Sequence, residues 1–348
     1  MRALLFAGLF LISTLPAMAQ NADDSKPGLP KDPRAVFAAA APFYDFSDPA
    51  LKPWHMKASY QLYDDKGKPA EQGTYEYWWA SPKVYRSTWT RAGASRTDWH
   101  TADGKHSYTA SGDDLSYFEY QLQELLLSPL PSANWLDPAI FSLLDKSLTV
   151  SGSAIPCYQI VPVGVKGNAA ESLSGGQYLK YCFDPRMPIV VGVYSYKTLL
   201  SRLGDFVQMQ GKVLPRRLVF KDGKRDVLTA NVEVINLQSV STDLFVPSAT
   251  AVLVKAETLK DIRGVVFGKN IKRADFDPLD DLVSHSAQAK IIIGTDGHIR
   301  EIRMITFTSP AYAKMVKKTV SQWTYVPSTL NGVPVQVEMD IEVGEHPN

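Results

Sequence analysis

The strongest constraint on this 348-residue chain is a strand written near its end. Val333, Val335, Val337, Met339, Ile341 and Val343 are apolar, while Pro334, Gln336, Glu338, Asp340 and Glu342 between them are not. Alternation of period two means a strand buried on one face only. Before it come an apolar strand from Lys290, an Asp296-Gly297 turn, a second strand, a helix and an Asn331-Gly332 turn. Ser309 is a good N-cap, and Pro310 suits a first helical position, where no N–H is needed. Tyr312, Met315, Val316, Thr319, Val320 and Trp323 recur at spacings of three and four and form one face, with Lys314, Lys317 and Lys318 mostly away from it. A ββαβ unit this small holds no catalytic set and points to binding.

The run from Gly297 to Ile302, then Ser309 to Tyr312, then Trp323, Tyr325 and Pro327, then Asn331 to Val335, resembles the TonB C-terminal domain family. The resemblance covers residues 286–346. It implies that a terminal sheet edge accepts an extended peptide from an outer-membrane transporter by strand addition. The edge expected to do so carries Val335, Val337, Met339, Ile341 and Val343, and pairing with a second copy is the other use of such an edge. The helix here is more basic than that family's common form.

Residues 1–19 read as an export leader: Arg2, an apolar run over 3–15, and Ala17-Met18-Ala19 as a cleavage site. The apolar run is short for a membrane span, and Pro16 breaks it. A periplasmic protein is expected; the alternative is an uncleaved inner-membrane anchor. Of 37 basic and 36 acidic residues, loss of Arg2 leaves 36 and 36, a formal charge of zero. That argues against a general nucleic-acid or anionic-membrane binder. The remaining 329 residues (348 less 19) suit two domains better than one. The two cysteines, Cys157 and Cys182, sit in strand-like runs. In an oxidising compartment they are expected to pair, closing a loop worth roughly 3–4 kcal/mol.

Residues 20–32 are polar, with Pro and Gly, and read as a disordered lead-in. A short helix is expected over 32–41, opened by Asp32 and Pro33. Runs at 56–63, 73–80, 84–91 and 95–101, each closed by a turn signal, spell an antiparallel meander. Helices are expected at 113–127 and 137–144, the first with a stripe of Leu115, Phe118, Leu122, Leu125 and Leu126. Further strands are expected at 148–150, 157–163, 178–183, 189–196, 205–212, 216–220 and 227–237. Residues 248–285 read as a connector.

This layout, with Gly73 to Arg86, Cys182 to Asp184, Gly204 to Phe206, Gly211 to Pro215 and Phe245 to Pro247, resembles the LolA/LolB lipoprotein-carrier superfamily over residues 33–247. The expected fold is therefore α+β: an N-terminal open antiparallel β half-barrel with a helical lid, plus a small C-terminal ββαβ TonB-like domain. The lipid-carrier resemblance implies a site for acyl chains.

No hydrolase, metalloprotease, P-loop or dinucleotide signature occurs, so no cofactor and no enzyme activity are expected. Asp98, His100 and His106 are the closest set of metal-ligand types, but a polar strand face near a hairpin explains them, and no metal is expected. The better candidate is aromatic. Tyr75, Tyr77 and Trp79 share a strand face, as do Tyr85 and Trp89 on the next strand. Each ring needs cover, from the lid helices or from a ligand. Arg86 and Arg91 stand beside them and could meet an anionic head group. The expected protein is a non-enzymatic envelope binding protein whose TonB-like module engages an outer-membrane transporter or other envelope partner. The alternative is a periplasmic lipid or lipoprotein carrier.

Overall fold

The structure is a computed structural model that describes residues 28–150, 153–164, 179–195, 199–254, 258–259, 264–274 and 285–345. The expected leader, most of the lead-in and the acidic run at 275–282 lie outside the described residues.

Helix α1 (Pro33–Tyr44) starts where the sequence predicts, with the Asp32 carboxylate accepting from Arg34 N and Ala35 N. The meander follows as β1 (Trp54–Tyr63), β2 (Pro69–Ser81), β3 (Val84–Arg91), β4 (Ala94–His100) and β5 (His106–Ser111). Helix α2 (Tyr117–Leu127) comes next, then β6 (Phe141–Asp145), β7 (Leu148–Val150), β8 (Ser153–Ile155), β9 (Cys157–Pro162), β10 (Leu179–Phe183) and β11 (Val190–Ser195). The long strands β12 (Leu199–Met209), β13 (Lys212–Asp222) and β14 (Arg225–Asn236) complete this part. Short strands β15 (Val252–Leu253), β16 (Val265–Val266) and β17 (Asn270–Lys272) lead to β18 (His285–Ile293), β19 (Ile299–Phe307) and α3 (Pro310–Val320). The chain ends in β20 (Thr324–Tyr325), β21 (Thr329–Leu330), β22 (Val333–Pro334) and β23 (Val337–Glu345).

Thirteen strands join in one antiparallel sheet, ordered β15-β5-β4-β3-β2-β1-β14-β13-β12-β11-β10-β9-β6. This corrects the expected α+β class. Among the described residues the protein is mostly β, with 53 % strand and 14 % helix, and its large sheet does not close into a barrel. The expected helix at 137–144 is also corrected. Its second half is strand β6, because pairing with β9, Leu143 against Ile160, outweighs the helix preference of a short leucine-rich run. Cys157 and Cys182 face each other across β9 and β10 and form a disulfide.

The small C-terminal TonB-like domain is not what the structure shows. Strands β18, β19 and β23 do form a three-stranded sheet under α3. The segment between α3 and β23 is tied to the preceding chain through β16–β21 and β17–β20, and Gln336, just before β23, bridges to Thr258. Its other face is not free either: Ile305 packs with Tyr117 of α2 and Leu199 of β12.

Candidate functional site

Helices α1 and α2 share one core with a single face of the large sheet. Register sets what lies on that face. Tyr75 is opposite Trp89, Tyr77 opposite Ser87, and Trp79 opposite both Trp54 and Tyr85. Tyr75, Tyr77, Trp79 and Trp89 are buried, and Tyr85 is half-buried. Tyr75 stacks on Trp89 with ring centroids 4.1 Å apart, and Trp54 meets Tyr77 at 5.3 Å. The five candidate rings therefore form one wall. Within it, Tyr75 Oη and Trp54 Nε1 are buried, and no described residue hydrogen-bonds them.

Arg86 is not part of this wall. It pairs with Trp78 and points to the opposite face, where its guanidinium lies 5.8 Å from the Trp99 ring centre. Arg91 is on the wall face, but another group already holds it. Its Nε lies 3.3 Å from Glu119 Oε1, and its Nη1 donates to Glu71 Oε2 at 2.9 Å.

Glu119 is the functional candidate the sequence reading missed. It is wholly buried in the inner side of α2. The helix begins at Ser116, whose N–H donates to Glu119 Oε2 at 2.7 Å while Glu119 N donates back to Ser116 Oγ. That reciprocal cap was legible as Ser-x-x-Glu before an apolar run. The other carboxylate oxygen accepts from the Tyr60 hydroxyl at 2.6 Å. Burial, and then the Glu119 charge, push the Tyr60 phenol far above its ordinary value, so it stays a donor. Gly73 makes this contact possible. It sits opposite both Tyr60 and Arg91, and a Cβ there would overlap the Tyr60 ring.

The wall continues as a polar row. Tyr85, His100 and His106 stack in turn at 4.1 Å spacings. His106 Nε2 lies 3.1 Å from Asp98 Oδ1, and Arg96 binds Asp98 through two contacts of 2.8 Å. Burial alone would raise the Asp98 carboxyl; the His106 and Arg96 hydrogen bonds outweigh it and hold the group below its ordinary value. Among the described residues no cluster of His, Cys, Asp or Glu could hold a metal ion. A cleft of about 340 Å³ opens where this row meets solvent, lined by Tyr85, His100, Pro82, Lys83 and residues 101–104.

The outer side of α2 meets the C-terminal sheet. The Arg303 guanidinium lies 3.7 Å from the Tyr120 ring centre. Two bonds of 2.7 and 2.8 Å hold it to Glu301. Lys290 bridges Glu338 at 2.9 Å and Asp340 at 3.3 Å on the same face. Burial alone would lower the Lys290 amine; the two carboxylates outweigh it and raise it. Val337 and Val343 of the candidate edge strand are buried toward α3, with Val335, Met339 and Ile341 half-buried beside them. The rung at Gln336 is taken, since its carbonyl accepts from Leu259 N at 3.1 Å. From Val337 onward β23 pairs, among the described residues, with β18 alone.

No protein-family model matches the chain, and no curated protein matches it. Its structural neighbours are DUF1329 and LolA-superfamily proteins. A DUF1329 family protein from Desulfovibrio piger is 10 % identical, with 61 % of this chain and 96 % of that one covered and a TM-score of 0.38. A LolA superfamily protein from Nitrosomonas europaea is 8 % identical, with 62 % and 97 % covered and a TM-score of 0.35. MucB is 11 % identical, with 75 % and 81 % covered and a TM-score of 0.28. At these identities and scores the likenesses assign no residue and no ligand to this chain. Nothing among them supports the TonB C-terminal family, so the expected capture of an outer-membrane transporter loses its basis. No described helix is long and apolar enough to cross a membrane.

Proposed function

We propose that this is a non-enzymatic binding protein of the cell envelope, and that its aromatic wall takes a long apolar chain, such as the acyl tail of a lipid or lipoprotein, when α2 lifts away. The wall itself carries this reading. Its rings are set by strand register and covered by helices, yet Tyr75 Oη and Trp54 Nε1 are left buried without described partners. Leaving such an atom unpaired costs about 1–3 kcal/mol, and cores built only for packing seldom contain them.

Helix α2 suits a moving part. At 11 residues it is too short to be stable alone and depends on what it packs against. Its Leu122, Leu125 and Leu126 contribute through apolar burial, which has no direction, so an acyl chain can stand in for them. The Glu119 contacts to Tyr60 and Arg91 fix one closed position. A buried charge set of this kind specifies geometry more than it adds stability. The cleft beside Tyr85 and His100 gives a route from solvent, and the exposed Lys83 at its rim suits an anionic head group. The leader-like sequence over residues 1–19 and the disulfide support an envelope location.

The test is mass spectrometry of organic extracts from protein purified out of its native envelope. Acyl lipid in amounts comparable to the protein is expected, and it should fall sharply in a Trp89→Ala variant. Protein that comes out without acyl chains, and takes up no labelled fatty acid afterwards, contradicts the proposal.

A further inference from the structure

The C-terminal region carries exposed apolar side chains that neither its core nor its contact with α2 uses. Val266, Phe267, Ile271 and Val326 are large apolar side chains with exposures of 68, 40, 67 and 47 %. Backbone pairing gathers them. Val326 N donates to Lys269 O at 2.9 Å, and Asn270 is opposite Tyr325. Tyr325 is buried, so alternation turns Val326 outward on one strand and Ile271 outward on the other. Val266 is opposite Thr329, and Gly268 N donates to Ser328 Oγ. All four residues therefore lie along one ribbon made of residues 265–272 and 324–330.

The ribbon's own segments carry charge of one sign; the carboxylate nearest them in the pairing, Asp296 in the turn bridged to Thr324, is bonded to Arg300. Residues 264–274 and 302–337 contain no carboxylate. They carry Lys269, Lys272 and Arg273, and the exposed lysines of α3 at 314, 317 and 318. Arg273 stacks on Trp323 at 5.1 Å, which ties the basic end of α3 to the ribbon. Among the described residues neither Lys269 nor Lys272 has an ion-pair partner. The aspartates at 275, 277, 280 and 281 follow in sequence and lie outside the described residues.

We infer that this ribbon docks on an anionic lipid surface, with Val266, Phe267 and Ile271 entering the headgroup layer and Lys269 and Lys272 meeting lipid phosphates. Exposed apolar side chains flanked by cations are the pattern of interfacial anchoring. Protruding side chains on a two-stranded ribbon offer a peptide no groove, whereas a lipid headgroup layer accepts them. A formal charge of zero over residues 20–348 argues against a general polyanion binder but not a local one. At physiological salt each charge acts over about 8 Å, so the patch is read by itself. The inference stands apart from acyl binding by the aromatic wall, since its variants leave the wall untouched.

Flotation of the full chain with vesicles tests it. Binding is expected to vesicles of mixed phosphatidylglycerol and phosphatidylcholine, not to phosphatidylcholine alone, and it should weaken with salt. Lys269→Glu with Lys272→Glu should lower the partition coefficient about tenfold or more. Phe267→Ser with Ile271→Ser should do the same. Unchanged thermal unfolding of both variants shows that folding is intact. No vesicle binding, equal binding to both vesicle types, or binding unaltered in both variants overturns the inference. So does retention of an acidic protein without any vesicle binding.

Discussion

Helix α2 is held by different physics on its two sides. Toward the large sheet it buries Leu122, Leu125 and Leu126 together with the Glu119 carboxylate. Toward the C-terminal sheet it presents Tyr120 beneath Arg303, and Tyr117 against Ile305. Each buried leucine contributes about 1.5–3 kcal/mol, while a cation over a ring adds roughly 0.5–2. The inner side is therefore the stronger contact, but most of it is exchangeable for another apolar surface. The outer side is weaker, but it is directional, and an acyl chain cannot replace it. The difference implies that α2, once displaced from the wall, stays with the C-terminal sheet.

The largest effect is expected on the inner side. Trp89→Ala removes the ring stacked on Tyr75 and should destabilise the fold by about 3–5 kcal/mol in urea unfolding. Glu119→Ala leaves the buried Tyr60 hydroxyl without its acceptor and removes one of the two carboxylates paired with Arg91, and should cost about 3 kcal/mol. A loss near zero would mean that the inner polar contact does not set the closed position. Gly73→Ala forces the Tyr60 ring aside and should cost about 1–3 kcal/mol, with faster amide exchange at the start of α2.

The outer side should respond less and in a different place. Arg303→Met should cost about 1 kcal/mol and speed exchange in β18 and β19 while leaving the inner face of α2 protected. Equal loss of protection on both sides would erase the distinction drawn above. The smallest effect is on pH. Asp98 and Glu301 are both held below their ordinary values, because hydrogen bonds from His106 and Arg96, and from Arg303, outweigh burial. A depressed folded value means that their contribution is complete above the unfolded value near pH 4 and is lost as pH falls through the folded one. The free energy of local opening at these carboxylates, taken from exchange rates corrected for the intrinsic pH dependence of amides, should therefore fall as pH drops below about 4.

Local signals in the sequence transferred well. Asp32 and Ser309 cap their helices, the alternating runs of β1 to β4 pair as a meander, and the apolar face of α3 packs as its spacing requires. Two boundaries were lost to local ambiguity. The expected strand 205–212 runs through the tight turn at Gln210-Gly211, where both residues have positive φ, and glutamine is an uncommon residue for that position. Pro215 hid the continuity of β13; it is tolerated because pairing with β14 begins only at Arg217. Non-local chemistry was not legible. Tyr60, Arg91 and Glu119 come from three elements, and Tyr120 and Arg303 are far apart in sequence, so no window of sequence contains either set. The C-terminal motifs suggested a free-standing partner module because they describe one sheet face and cannot show that α2 covers the other.

The most direct test of the central claim is tryptophan quenching by a fatty acid brominated along its chain. Saturable quenching is expected in the native protein, most of it lost when Trp54, Trp79 and Trp89 are changed to Phe. Quenching that is absent, or that persists undiminished in that triple variant, would mean the aromatic wall never receives an acyl chain.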